Sequence, residues 1–193
     1  MAWPTDLGAT GELISAAQFN RLPMLLADTT VAGSVAASID FTSIPAHWSH
    51  LRIDVCARGD TAATSVNLLV RFNADSTGQY DYQYIRVQNA TVDGSASLAQ
   101  TAIITGDVPA ASAPASSFGP CVIDISDYAD GSNHQVLLFQ TFRKRDTAAG
   151  DLGYIAGGGL WRITTAVSRV TLSPAAGNFA IGSRASLYGM GRV

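Results

Sequence analysis

The chain has 193 residues, 47% of them hydrophobic and 14% charged, with a formal net charge of −3. This is too apolar for a disordered chain, and the length suits one well-buried domain. No basic footprint for nucleic acid is present and no run approaches the roughly 18 apolar residues of a membrane helix, so neither is an expected partner.

Residues 1–33 differ from the rest and read as an arm. Trp3-Pro4, Gly8 and Gly11 suggest extended or looping chain. No basic region followed by an apolar run opens it, so no secretory signal is expected. Ser15-Ala16-Ala17-Gln18 fits a capping box: Ser15 accepts from the backbone N–H of Gln18, whose side chain reaches back. A short helix should follow over about 16–21, ended or kinked by Pro23. Met24, Leu25 and Leu26 form an apolar knot too small to be a core, so it must dock on the domain or on another chain. Trp3, Phe19, Leu22, Leu25 and Leu26 are therefore the candidate attachment or oligomer contacts.

From residue 34 to 193 the chain reads as strand after strand. Lysine and glutamate occur once each, at Lys144 and Glu12, which leaves few strong helix formers beyond Ala and Leu. Expected strands cover 35–41, 49–58, 65–73, 80–88, 98–104, 120–125, 135–143, 154–164, 168–172 and 185–190. Breakers such as Ser76-Thr77-Gly78, Asp93-Gly94 and Asp130-Gly131 lie between them. In 50–73, Leu51, Ile53, Val55 and Ala57 share one face of a first strand, and Val66, Leu68, Val70 and Phe72 one face of a second. The two look like a hairpin, although in a jelly roll consecutive strands often lie in different sheets. This spacing predicts an all-β fold, a single jelly-roll-like β-sandwich behind an N-terminal arm. Asp107 to Gly119, rich in Ala, Ser and Pro, should be a long surface loop.

No catalytic signature is present: no G-x-S-x-G, H-E-x-x-H, Walker loop or C-x-x-C. The aspartates at 75, 93, 107, 130 and 146 sit in turn-like contexts. His47 and His50 point to opposite faces of an extended segment and do not chelate naturally. The oxygen-rich segment 73–81 lacks the spacing of a calcium loop. No cofactor or metal is therefore expected. Cys56 and Cys121 read as free thiols rather than a disulfide framework. Arg143-Lys144-Arg145 reads as a solvated strand end, and Arg58-Gly59-Asp60 as a turn. Gly157-Gly158-Gly159 lacks a following helix and suggests close backbone contact rather than a phosphate loop. Tyr80, Tyr82 and Tyr84 share a strand face, which fits either sheet packing or a recognition surface.

Several short patterns resemble structural proteins of tailed bacteriophages. These are Ile39-Asp40-Phe41-Thr42-Ser43-Ile44-Pro45, Trp48-Ser49-His50-Leu51-Arg52-Ile53, Arg71-Phe72-Asn73-Ala74-Asp75, Leu172-Ser173-Pro174 with Asn178-Phe179, and Gly182-Ser183-Arg184-Ala185-Ser186-Leu187-Tyr188-Gly189. Leu13 to Asn20 also looks like the opening of many phage tail and fibre proteins, where such segments attach or trimerise the subunit. The resemblance implies a β-sandwich virion component assembled in the host cytoplasm, not an enzyme. The leading expectation is a decoration protein (cement or head fibre) on the head, with the major capsid protein as partner. The alternative is a tail-tip or tail-fibre subunit that binds a host surface glycan. The low charge, the apolar knot and the Ala/Ser/Pro loop suggest a homo-oligomer, with a trimer as the expected form.

Overall fold

The computed structural model describes residues 22–146 and 151–192. The expected capping box and helix, with Trp3 and Phe19, lie outside the described residues. Twelve strands are present among the described residues: β1 (Met24–Thr30), β2 (Ile39–Phe41), β3 (Trp48–Ala57), β4 (Ser65–Phe72), β5 (Tyr80–Gln88), β6 (Thr91–Gln100), β7 (Ile103–Pro109), β8 (Gly119–Ser126), β9 (Gln135–Lys144), β10 (Leu152–Trp161), β11 (Val170–Pro174) and β12 (Arg184–Arg192). They form a β-sandwich of two sheets. The large sheet runs β1-β12-β3-β8-β9-β10-β5-β6 and the small one β2-β11-β4-β7. Every pairing is antiparallel.

The connectivity is that of a jelly roll carrying two inserted hairpins. Without β5–β6 and β9–β10, a four-stranded layer β1-β12-β3-β8 faces the four-stranded layer β2-β11-β4-β7. The chain then alternates between layers through β1, β2, β3 and β4, and again through β7, β8, β11 and β12. Two interlocked Greek keys of this kind define the jelly roll. Both hairpins join the same layer, so one sheet has twice as many strands as the other.

Alternation fixes the buried faces. Leu51, Ile53, Val55 and Ala57 of β3 are buried, as are Val66, Leu68, Val70 and Phe72 of β4. The apolar faces expected from the sequence are thus the core faces. The hairpin expected between these strands does not form, because β3 lies in the large sheet and β4 in the small one. They face each other across the core instead of sharing hydrogen bonds.

Three other expectations are corrected. Residues 24–30, placed in the arm by the sequence reading, form edge strand β1 and pair with β12. The strand expected over 98–104 is two strands: β6 ends at Gln100, and β7 begins at Ile103 in the other sheet. Asp93-Gly94 is inside β6, and the real turn is Asn89-Ala90, where Asn89 takes the left-handed conformation (φ 56°). Asparagine tolerates that conformation better than most residues, which suits it to a two-residue hairpin loop.

The small sheet ends at β7, which packs over β9, β10 and part of β5. Ile103 of β7 presses on β10 so closely that a Cβ on Gly159 would stand 2.7 Å from its Cδ1. Of the glycine run, Gly159 is therefore the contact point for the opposing sheet, while Gly158 faces outward. Beyond this point β6 has no covering layer, and its side chains are exposed on both faces except for half-buried Ser97.

Candidate functional site

The tyrosine row belongs to the core. Tyr80 is fully buried and Tyr82 nearly so, while Tyr84 is half-buried. Tyr80 stacks on Trp161 with ring centroids 6.2 Å apart, and Tyr82 stacks on Tyr84 at 6.5 Å. The Tyr80 hydroxyl accepts from the Phe72 backbone N–H at 3.0 Å and donates to the Asp75 carbonyl at 3.1 Å. The row faces inward because β5 presents its odd-numbered residues, Asp81, Gln83 and Ile85, to the outside. Tyr80 and Tyr82 are therefore corrected from recognition candidates to packing residues.

The oxygen-rich segment 73–81 is held by protein groups. Asp75 accepts from Trp161 Nε1 at 2.7 Å and from the Thr77 N–H and hydroxyl at 2.8 and 2.6 Å. Burial raises the Asp75 carboxyl, but these hydrogen bonds outweigh it and hold the group below the usual carboxylate range. No group of three or more His, Cys, Asp or Glu side chains suited to a metal comes together among the described residues. Arg58-Gly59-Asp60 is likewise committed inside the molecule. The Arg58 guanidinium donates to the carbonyls of Ala111, Ala113, Pro114 and Ser117, clasping the Ala/Ser/Pro loop. Asp60 accepts from the Asn178 backbone and side-chain amides at 2.7 and 2.9 Å.

The basic run is also not a free surface. Arg143 is 1% exposed and pairs with Asp107 of β7. Arg145 pairs with Asp151 at 3.0 Å. Arg143 is thus not at a solvated strand end and Asp107 is not in a turn, contrary to both expectations. The structure corrects both, because β9 and β7 bring these residues face to face across the sandwich.

Of the attachment candidates, Leu22 and Leu25 are exposed beside and on β1, while Leu26 packs against the core. Exposed Met24 joins the first two. They make a small apolar cluster at one edge of the large sheet.

A larger apolar surface, missed in the sequence reading, covers the outside of the other half of that sheet. Strand register places the outward residues of β9, β10, β5 and β6 in rows. One row is Leu138, Gly158, Gln83 and Ala96; another is Phe142, Tyr154, Val87 and Val92. Val136, Leu160, Ile85, Leu98 and Leu152 fill the rest. Leu98 is 72% exposed and Leu138 68%. Between them lies a shallow concavity of about 400 Å³ whose floor includes Gly158. The same outer face over β12, β3 and β8 is polar, with Asp54, Arg52 and Asp124 at its centre and Arg52 bonded to Asp54 at 3.0 Å. The outside of the large sheet is thus half polar and half apolar. One signal in the sequence could have found this: Val136-Leu137-Leu138-Phe139 is apolar on both faces, which in a strand means that both faces are meant to be covered.

Continuous exposed apolar surface of this size marks an interaction site on a soluble protein. Among the described residues it contains no nucleophile–base pair and no converging carboxylates. It can bury against another surface.

Comparison with protein families, with curated proteins and with solved structures finds no match to this chain.

Proposed function

We propose that the chain is a non-enzymatic structural subunit of a tailed-phage virion, attached to the head as a decoration protein with the major capsid protein as its partner. The observation that carries this reading is the division of the large sheet's outer face. An apolar cluster of Leu22, Met24 and Leu25 sits at the β1 edge, and a broad apolar half lies at the opposite end. Such a subunit has one place to hold the particle and another to hold a neighbour. The resemblance of its short sequence patterns to phage structural proteins supports the same reading, as does the jelly-roll framework. In it, the subunit acts as a homo-oligomer, expected as a trimer, and Trp3, Phe19, Leu22 and Leu25 supply the attachment.

The alternative, a tail-tip or tail-fibre subunit binding a host glycan, gains less support from the exposed surface. Its apolar half is mainly aliphatic, with Phe142 and Tyr154 as its exposed large rings. The test uses phage particles that lack this protein. Purified full-length protein, labelled with gold, is added and the particles are imaged. Label over the head is the expected result. Label confined to the tail moves the assignment to the alternative, and no label on any particle refutes a virion role.

A further inference from the structure

We infer that the apolar half-face on β9, β10, β5 and β6 is covered by a second copy of this chain. The inference deepens the assembly reading above and rests on it. Its first support is area. The eight large apolar side chains on this half are 37–72% exposed. Together they present roughly 700–900 Å², matching the 800 Å² or so that each partner buries in a standard specific interface. The second support is charge. The outward residues of this half are uncharged over its centre; the charges lie at its rims, Lys144 opposite Leu152 at one end and Asp81, 3.6 Å from Arg162, at the other. A partner selected by charge would find little to read there, whereas an uncharged apolar face sets no charge against the surface of another copy. Interfaces between copies are the class that most resembles a domain core cut in half.

The third support is the neighbouring edge. Strand β6 closes the sheet on this side and carries no Lys, Arg or Pro between Thr91 and Gln100. Its one charge, Asp93, is tied to Arg86. Exposed edges are usually guarded by such residues, since an unguarded edge recruits other strands. A copy seated on the half-face also shields this edge. The depression floored by Gly158, between Leu138 and Leu98, gives a protruding leucine of the neighbour a seat.

The test is mass by light scattering on the purified full-length protein, from one to tens of micromolar. The wild type should run as a closed oligomer. The double variant Leu98→Asp/Leu138→Asp should run as a monomer, or show a dissociation constant raised ~100-fold or more, as loss of a central interface anchor does. Both side chains point into solvent in the single copy, so circular dichroism and the melting curve should be unchanged at concentrations where both proteins are monomeric. The control Leu22→Asp/Leu25→Asp should keep the wild-type mass. A monomeric wild type at tens of micromolar overturns the inference, as does a folded half-face variant that keeps the oligomer. Dissociation by the control alone would assign self-association to the β1 edge and overturn it too. None of these results touches the head-labelling experiment, so the two readings fail separately.

Discussion

Arg143 shows how much of the stability hangs on single contacts across the sandwich. Its guanidinium is buried against Asp107, and Nη1 and Nη2 have no hydrogen-bond partner among the described residues. A Cβ on Gly153, its register partner in β10, would fall 1.7 Å from Nη1, so only glycine fits there. Removing one partner of a buried pair strands the other charge, at a cost of about 3–5 kcal/mol. Arg143→Ala and Asp107→Ala should each lower unfolding stability by that much in urea melts. Arg143→Met combined with Asp107→Leu should recover most of it, because no charge is left behind. Equal stability of the wild type and either single variant would show that the pair contributes nothing. This pair was not legible in the sequence. Its members are far apart along the chain, and a basic run after a strand ordinarily marks solvent.

Two other buried groups set an alkaline limit. Burial pushes the Tyr80 hydroxyl from 10.0 up to about 12, and the Cys121 thiol from 9.0 up to about 11. Both groups are neutral when protonated. The folded chain therefore keeps protons that the unfolded chain has already lost. Their stabilisation is complete below about pH 9 and is lost as pH rises through 9 to 12. Melting temperatures should fall across that window, and Tyr80→Phe should flatten the upper part of the fall. The two cysteines also test the register. Cys56 pairs with Pro120 and Val55 with Cys121, so the thiols sit on opposite faces of neighbouring strands and cannot bridge. At pH 8 one thiol, Cys56, should react in the native protein, and the second only in denaturant.

At the scale of elements, strand faces were legible wherever a strand has one wet side and one dry side. Residues 80–88 coincide with β5 for this reason, and β3, β8 and β9 shift by only a residue or so. Partners were not legible, since period two says which side is buried but not against what. Strand β6 escaped notice because it is wet on both sides, so its sequence alternates nothing. Strand β1 escaped because Leu25 and Leu26, at a bulge in its pairing with β12, break the alternation. The candidate site was legible only in part. The tyrosine row was seen as a face, but nothing local told the inside from the outside.

The placement of β1 changes what can be trimmed. A chain starting at Pro23 keeps the whole strand and should melt cooperatively at the wild-type temperature. A cut near Thr29 removes most of the seven residues of β1 and bares the edge of β12. That should cost a few kcal/mol and lower the melting temperature by about 5–15 °C, given about 2–4 °C per kcal/mol at this size. Calorimetry on the two truncations decides it. Equal melting temperatures would mean that β1 is only an appendage.

For the whole molecule, the unequal width of the two layers sets the geometry. From β1 to β6 the large sheet spans seven strand spacings, roughly 34 Å. Adjacent strands in such sheets rotate by about 20–25°. At that typical twist, the four steps from β12 to β10 would swing the outward normal by roughly 90°. The polar and apolar halves of one continuous sheet would then look in roughly perpendicular directions. In the assembly proposed above, a subunit standing on a surface by its β1 edge would hold this sheet upright, and its two halves would look sideways about a quarter turn apart. In that assembly the apolar half would be turned toward a neighbour and the polar half away from it, with no hinge or linker to aim them.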